Sequence, residues 1–177
     1  MPSLTFPAVA GATALLWLAL ACSRRPETPA TIEPSQQDAA VIRTADAQAA
    51  GQLLAGFHQI EQDAWRWTAH EFSVRLRTPA GAATRGALLS VQFALPEAVF
   101  AKTGPIVLSA QVNGAALPPQ RFDKAGPQVF SAAVPAAALS GETVRADFTV
   151  DKFLAAGEAD QRELAIIVSR VGLEAVP

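Results

Sequence analysis

Five stretches of this chain place an apolar residue at every second position. That period suits a strand with one buried face and one wet face, and it does not suit a helix. The stripes are Phe72, Val74 and Leu76; Leu89, Val91, Phe93 and Leu95; Ile106, Leu108, Ala110 and Val112; Phe130, Ala132 and Val134; and Val144, Ala146, Phe148 and Val150. Asn113-Gly114 follows the third stripe directly and predicts a type I′ turn, whose two central residues both need positive φ. The arm beyond it, Ala115 to Phe122, contains Pro118 and Pro119 and reads as an edge or irregular strand. In the last run, Glu163 to Val176, Leu164, Ile166 and Val168 share one phase and Val171 and Leu173 the other, which predicts a bulge near Gly172. Seven or so short strands, with no helix long enough for a βαβ crossover between them, predict an all-β fold: a single antiparallel β-sandwich.

The N-terminus follows a different rule. Val9 to Leu20 reads VAGATALLWLAL, an apolar run of 12 residues. Crossing a membrane takes about 20 such residues, whereas the apolar part of a signal peptide takes about 7–15. Leu18-Ala19-Leu20-Ala21-Cys22 resembles the lipobox of bacterial lipoproteins, in which an apolar pair and a small residue precede the cysteine that is lipidated. Ala19 stands where that family prefers leucine, and no lysine or arginine precedes the run. The resemblance implies cleavage before Cys22, acyl chains on Cys22, and a membrane partner reached through that lipid anchor. It also implies an outer-membrane address in the cell envelope, because Ser23 is not the aspartate that retains such proteins in the inner membrane. The alternative is an uncleaved anchor, with Arg24-Arg25 holding the body in the cytoplasm.

Residues 1–21 thus read as a signal peptide, and 22–38 as a lipidated N-terminus and spacer, since SRRPETPATIEPSQQD combines three prolines with polar residues and has no apolar period. In 39–55, Val41, Ile42, Ala45, Ala49, Leu53 and Leu54 fall near one helical face. Ser35 is available as a cap and Gly56 lies just past the end, which predicts a short amphipathic helix. The β-domain is then 56–177.

The chemical inventory is thin. With 14 basic and 16 acidic residues there is no basic field, so no nucleic-acid partner is expected. The one cysteine, Cys22, cannot form an intramolecular disulfide, so packing alone must hold the body. No H-E-x-x-H, G-x-S-x-G, phosphate loop or metal-ligand spacing occurs, and His58 and His70 are the only histidines. No catalytic residue, metal or cofactor is therefore expected. Asp147 and Asp151, and the Glu158, Asp160 and Glu163 loop, read as solvated charges or structural ion pairs with Lys152 and Arg162.

Trp65-Arg66-Trp67 most invites a binding role. In a strand both indoles share a face, as core anchors or as a platform for sugar rings, while Arg66 points away to meet Glu61, Glu71 or a carboxylate of 158–163. Gly56 to Thr68 (G-F-x-x-I-E-x-x-x-W-R-W-T) and Arg162 to Glu174 (R-E-L-x-x-x-V-S-x-x-G-L-E) resemble a family of uncharacterised envelope lipoprotein β-domains, similar to modules appended to bacterial glycosyltransferases. That resemblance implies a non-enzymatic accessory domain near glycan chemistry, with envelope protein or glycan partners; the body is expected to be a monomer, because its stripes can bury one another. The alternatives are a carbohydrate-binding module using Trp65 and Trp67 and, more remotely, a small envelope hydrolase.

Overall fold

All five stripes are buried, and each lies in a strand. The computed structural model describes residues 38–158 and 160–176; the signal peptide, Cys22, Ser35 and the spacer to residue 37 lie outside the described residues. The strands in chain order are β1 (Val41–Arg43), β2 (Leu53–Glu61), β3 (Trp65–Arg77), β4 (Ala87–Leu95), β5 (Ile106–Val112), β6 (Ala115–Ala116), β7 (Gln120–Phe122), β8 (Gly126–Val134), β9 (Thr143–Val150) and β10 (Ile167–Ala175). Two short helices, α1 (Ala82–Arg85) and α2 (Glu97–Thr103), cover connections. No helix among the described residues is long and apolar enough to cross a membrane.

Every pairing is antiparallel, along the path β6-β5-β9-β3-β10-β4-β8, with β1 on β10, β2 on β3 and β7 on β5. The long β3 turns this path into two layers. Its C-terminal half, Glu71 to Arg77, pairs with β9, while Arg66 and Trp67 near its start pair with β10. Phenylalanines fill the space between the layers. Phe72 stacks on Phe148 at 4.8 Å, and Phe148 meets Phe130 of the facing layer edge-on at 6.5 Å.

The turn at Asn113 and Gly114 has φ of 47° and 84°, as a type I′ turn requires. Across the two prolines, β6 and β7 each pair with β5. Gln120 of β7 then reaches the open edge of β8, where its amide donates to the Ser131 carbonyl and accepts from the Ser131 N–H at 3.3 Å. Pro127 removes a further donor from β8. Blocked groups of this kind keep an edge strand from pairing with another chain.

Two expectations need correction. Residues 39–55 form no α-helix but β1, a 3-10 segment (Ala47–Gln52) and the start of β2. A thin, alanine-rich stripe has little to bury as a helix, and helices in proteins depend on such packing. As strand, Ile42 is 3% exposed and pairs with Val171, while the Leu173 N–H donates to the Ala40 carbonyl at 2.8 Å. Asp46 caps the 3-10 segment by accepting from the Gln48 N–H at 2.8 Å. The bulge in β10 falls between Val168 and Arg170, ahead of Gly172, which pairs regularly with Ser90 and Val41.

Candidate functional site

The β2–β3 hairpin reverses through Gln62 and Asp63, both at φ 51°, and sets Trp65 opposite Glu61. The two tryptophans then part company. Trp67 lies opposite Ile167 and packs, half-buried, against the core. Trp65, also half-buried, lines an open groove on the outer face of β4, β8 and β10. Of the two indoles, Trp65 is the one that lines this groove.

The groove measures about 440 Å³. Its lining is apolar at Trp65, Phe93, Ala94, Pro127, Val129 and Ile167, and Gln92 and Ser169 add an amide and a hydroxyl; Gln128 also borders it, with its amide donating to the Lys124 carbonyl at 2.9 Å. Register explains the composition: Ile167, Ala94 and Pro127 share one cross-strand row, and Gln92 and Val129 face each other in the next. Val129 is 58% exposed and stands open to solvent at the groove's edge. The buried Trp65 Nε1 finds no partner among the described residues, so the indole is not held there by a structural hydrogen bond. Sequence reasoning missed Pro127, Val129, Gln92 and Ile167. The signal available was that Ala87–Leu95 and Gly126–Val134 contain no charged residue.

Among the described residues Arg66 meets no carboxylate. Its Nε donates to the Thr44 carbonyl at 2.8 Å and its Nη1 to the His58 carbonyl at 3.0 Å, tying β2 and the β1 turn to β3. Glu61 is taken instead by Arg162, at 2.8 Å. Competition between two arginines for one carboxylate is not readable from spacing.

The histidines converge on one residue without meeting each other. His58 Nε2 donates to the Glu163 carbonyl at 2.6 Å, and both the His70 N–H and its Nδ1 donate to Glu163 Oε1 at 2.5 Å. Burial alone would raise the Glu163 pKa, but the hydrogen bonds from His70 hold it below the usual carboxylate range. His70 also stacks on Phe153 at 4.4 Å. Asp160 is drawn down to about 2 by hydrogen bonds from the Arg162 side chain and N–H. Asp147 pairs with Arg145 at 2.7 Å, Asp151 accepts from the Val107 N–H at 2.6 Å, and Lys152 donates to the Pro105 carbonyl at 2.6 Å. These charges pin loops, as expected of structural pairs. Among the described residues no three His, Cys, Asp or Glu side chains gather as a metal-binding group.

No family profile and no curated protein sequence matches the chain. Among solved structures, it is similar to a segment of a family GH115 4-O-methyl-α-glucuronidase described as specific for decorated arabinogalactans. The TM-score is 0.52 at 7% identity, over 79% of this chain and 18% of that one. The chain thus spans under a fifth of that enzyme, and the likeness is one of fold. A family 35 carbohydrate-binding module from Clostridium thermocellum aligns with a TM-score of 0.43 at 14% identity, over 76% of this chain and 98% of that one. A carbohydrate-binding module described for specific mannan recognition aligns at 0.43 and 11%, over 79% and 98%.

Proposed function

We propose that this chain is a non-catalytic, glycan-binding β-sandwich domain, held on a cell-envelope membrane by acyl chains on Cys22. The observation that carries the binding role is the Trp65 groove. A pyranose ring has apolar C–H faces and a polar rim, and the groove offers an indole and aliphatic wall beside the Gln92 amide, which can both donate and accept. Its volume falls in the range of about 300–1,000 Å³ usual for small-ligand sites.

On a glycan array the wild-type chain is expected to bind at least one glycan class. Trp65→Ala should weaken that binding tenfold or more, and Trp65→Phe, which keeps a ring face, should retain most of it. Because Trp65 is only half-buried, its truncation should cost about 1–2 kcal/mol, less than the roughly 3–5 typical of a core tryptophan. Equal binding by wild type and Trp65→Ala would remove the groove from the account. A folded wild type that binds no glycan would move the reading to a protein partner.

The anchor has its own measurement. Metabolic labelling with palmitate should mark the wild type and leave Cys22→Ser unlabelled. An unlabelled, full-length wild type would return the N-terminus to the uncleaved alternative.

A further inference from the structure

The two outer faces of the sandwich differ in charge. On the β3–β9 face, Glu71, Arg75 and Arg77 project beside Arg145 and Asp147. On the opposite face β4 and β8 present no charge over their whole length, although they form a continuous nine-residue ladder from Ala87↔Val134 to Leu95↔Gly126. Outward side chains there are aliphatic, amide or hydroxyl. The Gln92–Val129 row closes the groove, and below it come the Ser90–Ser131 row and then Leu88–Ala133, with Leu88 41% exposed. From Ala94 to Leu88 is six residues, about 20 Å of strand. The nearest charges on β10, Arg170 and Glu174, pair with each other at 3.0 Å, and Arg43 lies one strand further, on β1.

We infer that the Trp65 groove continues along β4 and β8 as a track for an electrically neutral glycan chain. This rests on the glycan-binding reading and narrows it to a ligand class. Recognition of a carboxylate or sulfate calls for an arginine or lysine whose charge is not already matched; β4 and β8 supply none, and the arginine beside them, Arg170 opposite Gln92, is paired with Glu174. Neutral hydroxyls are matched by Ser90, Gln92 and Ser131, each both donor and acceptor. The exposed Val129 and Leu88 supply apolar contact on either side of the serine row. A second copy joining by strand addition is opposed at this edge by the Gln120 amide on Ser131 and by Pro127.

Affinity electrophoresis of the full chain in native gels tests this, with galactomannan and hydroxyethylcellulose as neutral polymers and polygalacturonate as the acidic one. Retardation by at least one neutral polymer should exceed that by polygalacturonate tenfold or more at equal concentration. It should persist between low and 0.5 M salt, since no charge pair is there to be screened. Val129→Asp should abolish it, and Thr149→Asp on the opposite face should leave it unchanged. Stronger, salt-sensitive retardation by polygalacturonate, lost in Trp65→Ala, would overturn neutrality while leaving glycan binding intact. Retardation by neutral polymers that Val129→Asp weakens but Leu88→Asp, beyond the groove, does not alter would overturn the track while leaving the groove intact. Binding of no polymer, together with a wild-type dimer in sedimentation that Val129→Asp dissociates, would make the face a contact between copies and overturn the glycan reading as well.

Discussion

Replacing Gly56 by alanine is expected to destabilise the domain by roughly 3 kcal/mol or more, lowering the melting temperature by about 10 °C, or to prevent folding. Gly56 sits within β2 at φ 74°, where the register of β2 on β3 shifts between Ala55 and Phe57. A β-carbon there would lie 2.0 Å from the Glu71 carbonyl oxygen and 2.7 Å from the Phe72 Cα. Both are main-chain atoms of the neighbouring strand, so no side-chain rotation relieves the clash. Moving β3 away would disturb Phe72, which stacks on Phe148 at the centre of the core. Gly51→Ala is the matched control: nothing lies within 4 Å of its β-carbon position, and the change should alter stability by about half a kcal/mol or less. Thermal denaturation followed by near-ultraviolet circular dichroism measures both. Equal melting of the two variants would mean that β2 does not lie against β3 as described.

The second large effect concerns where the domain begins. A chain starting at Gly56, the boundary expected from sequence, should fail to unfold cooperatively, whereas one starting at Asp38 should melt like the full chain. The earlier residues are part of the fold: Ile42, Thr44, Ala49 and Gln52 are all buried. Gln52 alone bonds to the Ala39 N–H and carbonyl at 2.9 Å and to the Arg75 carbonyl at 2.7 Å. Removing Ile42 from the core forfeits about 1.5–3 kcal/mol and each hydrogen bond from this segment to the rest of the domain, such as Gln52 to the Arg75 carbonyl, Thr44 to the Val168 carbonyl and the Leu173 N–H to the Ala40 carbonyl, about 1, which together approach roughly 5 kcal/mol. That equals the whole stability of a marginal domain, for which about 5–15 is usual. The loss also uncovers the edge of β10 from Arg170 to Gly172, inviting aggregation. A sharp, reversible transition for the Gly56 chain, close to that of the full chain, would sink this account.

The candidate site was half legible. Trp65 stood out because the chain has three tryptophans and one of them, Trp17, lies in the N-terminal apolar run, and the outward residues of β4 and β8 follow directly once Leu89 and Phe130 are placed inside. That Trp65 and Val129 border one groove was not legible, because β10 must insert between β3 and β4, and nothing local to either residue encodes that insertion. Arg66 shows the same limit, since its two carbonyl partners come from Thr44 and His58, and distance along the chain does not rank them above Glu61 or Glu71.

The local properties of the chain, by themselves, determined which residues face the core of each main strand and where the β5 hairpin turns. Side-chain alternation and the positive φ of Asn113 and Gly114 belong to a few consecutive residues. Only the tertiary structure decided the state of residues 39–55, the place of the β10 bulge and the neighbours of Trp65. Each of those depends on hydrogen-bond ladders and buried surface supplied by segments far away in the chain. When local preference is weak, as in the alanine-rich run before Gly56, the strand that finds a partner across the sheet displaces the helix that has none.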